Sequence, residues 1–161
     1  MSEYPEYDYD YERIQSAFPG AHTYSVPQSV INEISQYFSL RELLPPEARP
    51  LGDDGWHLFD PALLLVASSI REAWGRPLMV NAGGTRYRGW RPPNCATGAP
   101  KSAHKEGRAL DIVASWQQNR ELWQLCLDYP GVREIESIDA TPTWVHISVR
   151  GDHHGCRIIR P

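Results

Sequence analysis

Residues 102–111 read Ser102-Ala-His104-Lys-Glu-Gly107-Arg-Ala109-Leu-Asp111. A histidine and a carboxylate stand seven residues apart, two helical turns, so an amphipathic helix would carry both on one face. Gly107 opposes a helix. So does Ala109-Leu-Asp-Ile-Val113, a short, partly β-branched run with the character of a strand. The expected arrangement is a loop carrying His104 that feeds a strand carrying Asp111. Two ligands do not make a metal site, and His146 supplies a third.

Strand periodicity places that third residue. In residues 144–149, Val145, Ile147 and Val149 form an apolar face, and Trp144, His146 and Ser148 form the other. In residues 109–113, Leu110 and Ile112 face one way and Asp111 the other. Both polar residues therefore lie opposite an apolar row, facing a cleft. Two histidines and one carboxylate suit Zn2+, with a fourth position left open as in catalytic sites. From spacing alone, a loop histidine, a hydrogen-bonded strand histidine and a turn-side acid are the competing interpretation.

The totals agree with one soluble globular domain. The chain has 161 residues, 41% apolar and 22% charged, enough for a real core. A net charge of −4 argues against a general nucleic-acid binder. Cys95, Cys126 and Cys156 are odd in number and lack CxxC spacing, so neither a disulfide framework nor a thiolate zinc site is expected. The opening residues are acidic and tyrosine-rich, without a basic start or an apolar stretch. No secretory signal and no membrane insertion are expected. The chain is expected to be made in the cytosol. The sequence does not give the oligomeric state, and a monomer is the favoured expectation.

Residues 1–24 interleave Tyr4, Tyr7, Tyr9 and Tyr11 with acids and are expected to form a flexible arm ahead of a single domain over 25–161. Residues 27–38 suggest a short helix. Ser39-Leu-Arg-Glu42 has the form of a capping box. Asp60-Pro61 opens the clearest helix, buried through Leu64 and Ile70 and ending at Gly75. Residues 77–81 are expected as a buried strand and 82–101 as a long irregular loop. Ser115 is the expected cap of a helix over 116–128. Residues 133–138 and 144–149 are expected as a hairpin joined by 139–143. The fold class is α+β, with helices on a small, mainly antiparallel sheet.

The stretch 102–111 matches S-x-H-x-x-G-x-A-x-D. It resembles the zinc motif of the D-Ala-D-Ala carboxypeptidase and L-alanyl-D-glutamate endopeptidase superfamily, the LAS metallopeptidases, which share their fold with hedgehog signalling domains. Thr141-Pro-Thr-Trp144-Val-His146 is similar to its W-x-H strand. Gly89-Trp-Arg91-Pro92 resembles the turn that precedes the zinc motif, and Tyr37-Phe-Ser-Leu-Arg-Glu-Leu43 the opening F-S-x-x-E-L. The resemblance covers roughly residues 37–150, in the family's order. It implies a peptidase cutting peptidoglycan stem peptides, with zinc held by His104, Asp111 and His146. It also implies that Arg91 contacts a substrate carboxylate, for which an arginine fork is suited; Arg88 and Arg86 are alternatives. Ser102 would orient the site, and Trp144 would form a groove wall.

One departure concerns the base. Many members carry an acid three residues before the last histidine, where this chain has Thr143. Glu136, on the strand preceding His146, is the favoured substitute, with Asp139 second and Glu134 and Glu106 more remote. His153 and His154 are candidates for oxyanion stabilisation. Two function classes follow. One is a zinc peptidase of phage or bacterial origin acting at the cell wall, released through a holin as an endolysin or carried in a virion. The other is a zinc-binding or cell-wall-binding module that has lost hydrolysis.

Overall fold

The longest α-helix begins where the sequence predicts. In a computed structural model describing residues 8–115, 117–151 and 155–161, the Asp60 carboxylate accepts from Ala62 N and Pro61 takes the first turn. Helix Pro61–Trp74 then ends on Gly75 in the left-handed conformation. Before this helix, α4, come α1 (Tyr11–Ala17), α2 (Gln28–Ser35), α3 (Leu40–Leu43) and a 3-10 run, Pro46–Leu58. The capping box of α3 forms as expected, Ser39 and Glu42 each accepting from the other's backbone.

The sheet has four strands, β1 (Ala109–Ile112), β2 (Glu134–Glu136), β3 (Val145–Ser148) and β4 (Arg157–Ile159), in the order β1-β3-β2-β4. β3 is antiparallel to β1 and β2, while β4 runs parallel to β2. The sheet is therefore mixed, and the parallel member comes from the tail. Register sorts its rungs by chemistry. Leu110, Ile147, Ile135 and Ile158 share one rung, the first three fully buried against the helices. Asp111 and His146 are direct partners on the opposite face, and Glu136 pairs with Ile159 on the neighbouring strands.

Three expectations change. Residues 77–81 make one bridge, Met79 to Val113, with both hydrogen bonds at 2.8 Å, and no strand. The run leaves the sheet because Asn81 N donates instead to Glu42 O. The helix expected from 116 starts later, as α5 (Asn119–Leu127), and Ser115 does not cap it. Instead Gln118 N and Asn119 N donate to the Ser115 carbonyl, making a turn first, and buried Asn119 accepts from Ala114 N. The third is the arm. Residues 1–7 lie outside the described residues, but from Tyr9 onward the segment is packed. Asp10 caps α1, Ile14 is fully buried, and Tyr9 stacks on His57 at 4.2 Å between ring centroids. Acidic neighbours hid those two apolar anchors.

Among the described residues no helix is long and apolar enough to cross a membrane. Residues 82–101 contain neither helix nor strand, and Arg91, Gly98, Ala99 and Lys101 from this stretch line the cleft.

Gly107 explains itself at this level. It closes the 3-10 turn Ala103–Glu106 with φ +68°, and a Cβ there would stand 1.9 Å from Leu58 O. Gly107→Ala is expected to destabilise the fold by at least about 2 kcal/mol, since the left-handed strain alone costs roughly 1–2 kcal/mol. A chemical denaturation series on the two proteins checks this.

Candidate metal centre

Each residue of the 102–111 stretch has a local task. Ser102 Oγ accepts from His104 N and opens the 3-10 turn that holds the imidazole. Gly107 turns the chain into β1. Ala109 is fully buried, and Asp111 emerges two residues later on the cleft face. Gly89 completes the mount: its carbonyl accepts from His104 Nδ1 at 2.8 Å. A Cβ on Gly89 would lie 2.1 Å from Leu43 O, so only glycine brings that carbonyl into place.

The three expected ligands converge. His104 Nε2 lies 3.1 Å from Asp111 Oδ1 and 3.2 Å from His146 Nδ1, and His146 Nδ1 lies 2.9 Å from Asp111 Oδ1. All three side chains are buried. Because His104 gives its Nδ1 proton to Gly89, its neutral ring presents a bare Nε2 to the carboxylate. One proton, on His146 Nδ1, is then the most the three atoms share. A cation satisfies them better. Zinc bonds of about 2.0–2.1 Å arranged tetrahedrally separate ligands by roughly 3.3–3.4 Å, near the spacing found here. The donor set, two imidazoles and one carboxylate, also suits zinc.

Burial holds the His104 imidazole below its ordinary value, outweighing the pull of Asp111. Burial pushes the Asp111 carboxyl up, but an imidazole of His104 or His146 that carries its second proton outweighs it by charge and hydrogen bonding, so the carboxyl stays below the usual carboxylate range. In the metal-free protein both shifts act in one direction. Below about pH 6.5 the unfolded chain takes up a proton that folded His104 resists, and below about 3.8 it takes up one that folded Asp111 resists. Metal-free protein is therefore expected to lose thermal stability as pH falls through each range, measurable by melts at constant ionic strength.

The second carboxylate oxygen of Asp111 is held by Arg91. Arg91 Nη2 lies 3.5 Å from Asp111 Oδ2, Nη1 3.4 Å from Ser102 Oγ, and Nε donates to Tyr87 O at 2.7 Å. Gly98 lies over the guanidinium so closely that a Cβ would approach Nη1 to 2.3 Å. Arg91→Ala is expected to weaken metal affinity about 10–100-fold, as loss of an outer partner does, with the fold retained. A competitive chelator titration measures it. Arg88 is not among the residues that line the cleft, and its guanidinium lies 5.9 Å from the ring centroid of Trp144, which does line it. Its carbonyl accepts from Asp111 N at 2.7 Å. Arg86 is exposed.

The cleft, about 370 Å³, is lined by the three ligands with Arg91, Ser102, Glu136 and Trp144. Glu136 is the carboxylate the hairpin brings beside the His104-Asp111-His146 triad. Its Oε1 lies 3.9 Å from His146 Nδ1, and its carbonyl accepts from Trp123 Nε1 at 2.8 Å, which fixes the strand end. Asp139 does not reach the cleft. It is 81% exposed and pairs with Arg120 at 2.8 Å, because the turn after Ser137 directs it outward toward α5. Glu134 is buried and bound by Arg157 at 2.6 Å and Arg150 at 3.4 Å. Glu106 pairs with Arg150 at 3.3 Å. Thr143 is exposed. His153 and His154 lie outside the described residues.

Arg150 and Ile159 are among the cleft residues that the sequence did not single out. Arg150 continues the alternation of His146 and Ser148, a signal that was present. Ile159 reaches the cleft through parallel pairing of β4, for which the tail carries no turn signal. No curated protein matches the chain. A family model described as peptidase M15 matches residues 51–148, a span containing α4, Arg91, all three ligands and Glu136. With more than half of its length covered, the chain belongs to the peptidase M15 family, zinc peptidases that act on cell-wall peptides.

Proposed function

We propose that this protein is a zinc-dependent hydrolase of peptidoglycan stem peptides, of carboxypeptidase or endopeptidase type, with Glu136 as the general base. The observation that carries this reading is the position of a lone carboxylate, Glu136, beside a buried His-Asp-His triad in one cleft. Zinc at the triad would bring the pKa of a water toward neutrality and polarise a substrate carbonyl. Glu136 takes a proton from the attacking water as the C–O bond forms. It passes that proton to the nitrogen as the C–N bond breaks, so the amine leaves neutral. Arg91 keeps Asp111 oriented, and Trp144 offers an apolar wall to the peptide. The expected site of action is the cell wall, after release from the cytosol in the manner of a phage endolysin or as part of a virion.

The test is peptide release from purified peptidoglycan after chelator treatment and again after one equivalent of zinc. Loss and recovery of release supports the reading. The position of Thr143, where many relatives have an acid, favours one alternative, a zinc-binding module without hydrolysis. It predicts full zinc occupancy and no release.

A further inference from the structure

The cleft does not end at the triad. Lys101, Ser102 and Arg150 line it, and the same three residues line an adjoining pocket of about 280 Å³, beyond the 3-10 turn. That second pocket adds Lys105, Glu106 and His22 from the N-terminal segment. The two spaces share Lys101, Ser102 and Arg150 as a common wall.

Charge in this extension runs against the rest of the protein. The chain is acidic overall, with 20 carboxylates against 16 basic residues. Fourteen of those sixteen are arginines. The only two lysines, Lys101 and Lys105, both line the second pocket. Its single acid, Glu106, is taken up by Arg150 at 3.3 Å. Arg150 is in turn committed to Glu134 and to the Lys101 carbonyl. Arg91 is committed to Asp111 and covered by Gly98. Neither lysine ammonium has an ion pair among the described residues. Two ammonium groups without an ion pair among the described residues thus line a pocket that adjoins the cleft.

We infer that Lys101 and Lys105 form a subsite for a carboxylate of the substrate peptide, in the pocket that adjoins the cleft. This rests on the stem-peptide reading above and adds to it where the negative charge of the peptide is held. An ammonium is a compact point charge with three rotatable donors, suited to a carboxylate whose orientation the pocket does not fix. The carboxylate comes either from an acidic residue within the peptide or from the peptide's own C-terminus. Both present the same chemistry.

The test is calorimetric titration of zinc-loaded protein with the pentapeptide L-Ala-γ-D-Glu-L-Lys-D-Ala-D-Ala in three forms: free acid, D-Glu α-amide and C-terminal amide. Wild type, Lys101→Ala, Lys105→Ala, the double variant and Lys101→Arg are compared, with zinc content and melting temperature as controls. Each alanine is expected to weaken binding of the free acid about three- to fivefold, the range of partly exposed ion pairs, and 0.5 M NaCl to shrink the difference. Lys101→Arg should restore most of the loss. The amide that removes the recognised carboxylate should bind wild type and double variant alike, which identifies its source. Variants that bind all forms as wild type does, or lose all three equally, overturn the subsite and leave the peptidase reading standing. Zinc-loaded wild type that binds no form overturns both.

Discussion

Asp111→Ala is expected to lose zinc and peptidase activity together. Asp111 Oδ1 is within 3.1 Å of both imidazole ligand atoms, and Oδ2 is the anchor for Arg91. Removing the carboxylate leaves two neutral nitrogens facing each other and a partly buried guanidinium without its counter-charge. The fall in metal affinity should exceed the roughly 10–100-fold cost of losing an outer partner. Metal analysis after dialysis against a weak chelator gives the occupancy, near one for wild type and near zero for the variant. The side chain is buried, so a melting curve must accompany it. His146→Ala provides the second route to the same result, since His146 comes from a different strand.

Glu136→Gln separates the metal from the chemistry. The amide keeps the size of the carboxylate and the hydrogen bond from Trp123, which goes to the backbone carbonyl. Zinc content should stay at wild-type level, because Glu136 Oε1 stands 3.9 Å from the nearest ligand nitrogen and is not among the three converging atoms. The rate should fall about 10²–10⁴-fold, the usual worth of a positioned proton carrier. Asp139→Ala should leave the rate unchanged, since that carboxylate is exposed and points to Arg120.

Period-2 alternation alone puts Asp111 and His146 opposite their apolar rows, and register makes them direct partners. The hairpin argument likewise brings Glu136 to His146. These features were legible because one buried face per strand leaves few choices for the other. Asp139 misleads for a related reason. Sequence places it near the turn, but which way a turn residue points depends on hydrogen bonds such as those to Ser137 O. The pairing of β4 is a contact between distant segments without a turn signal, and it was not legible. Nor was the packing of Tyr9 and Ile14, two anchors within an acidic segment whose composition resembles a tail. Arg91 is the most instructive case. The resemblance implies a contact with a substrate carboxylate, and the fold adds what the sequence did not show, that Arg91 lies on Asp111 beneath Gly98.

The most direct test is mass spectrometry of the products released from purified peptidoglycan by zinc-loaded wild type, across stem peptides of differing composition. The account predicts new termini at one defined bond within the stem peptide, formed at least about 100-fold more slowly by Glu136→Gln at equal zinc content. Absence of any new terminus with fully zinc-loaded wild type, on every composition, contradicts it.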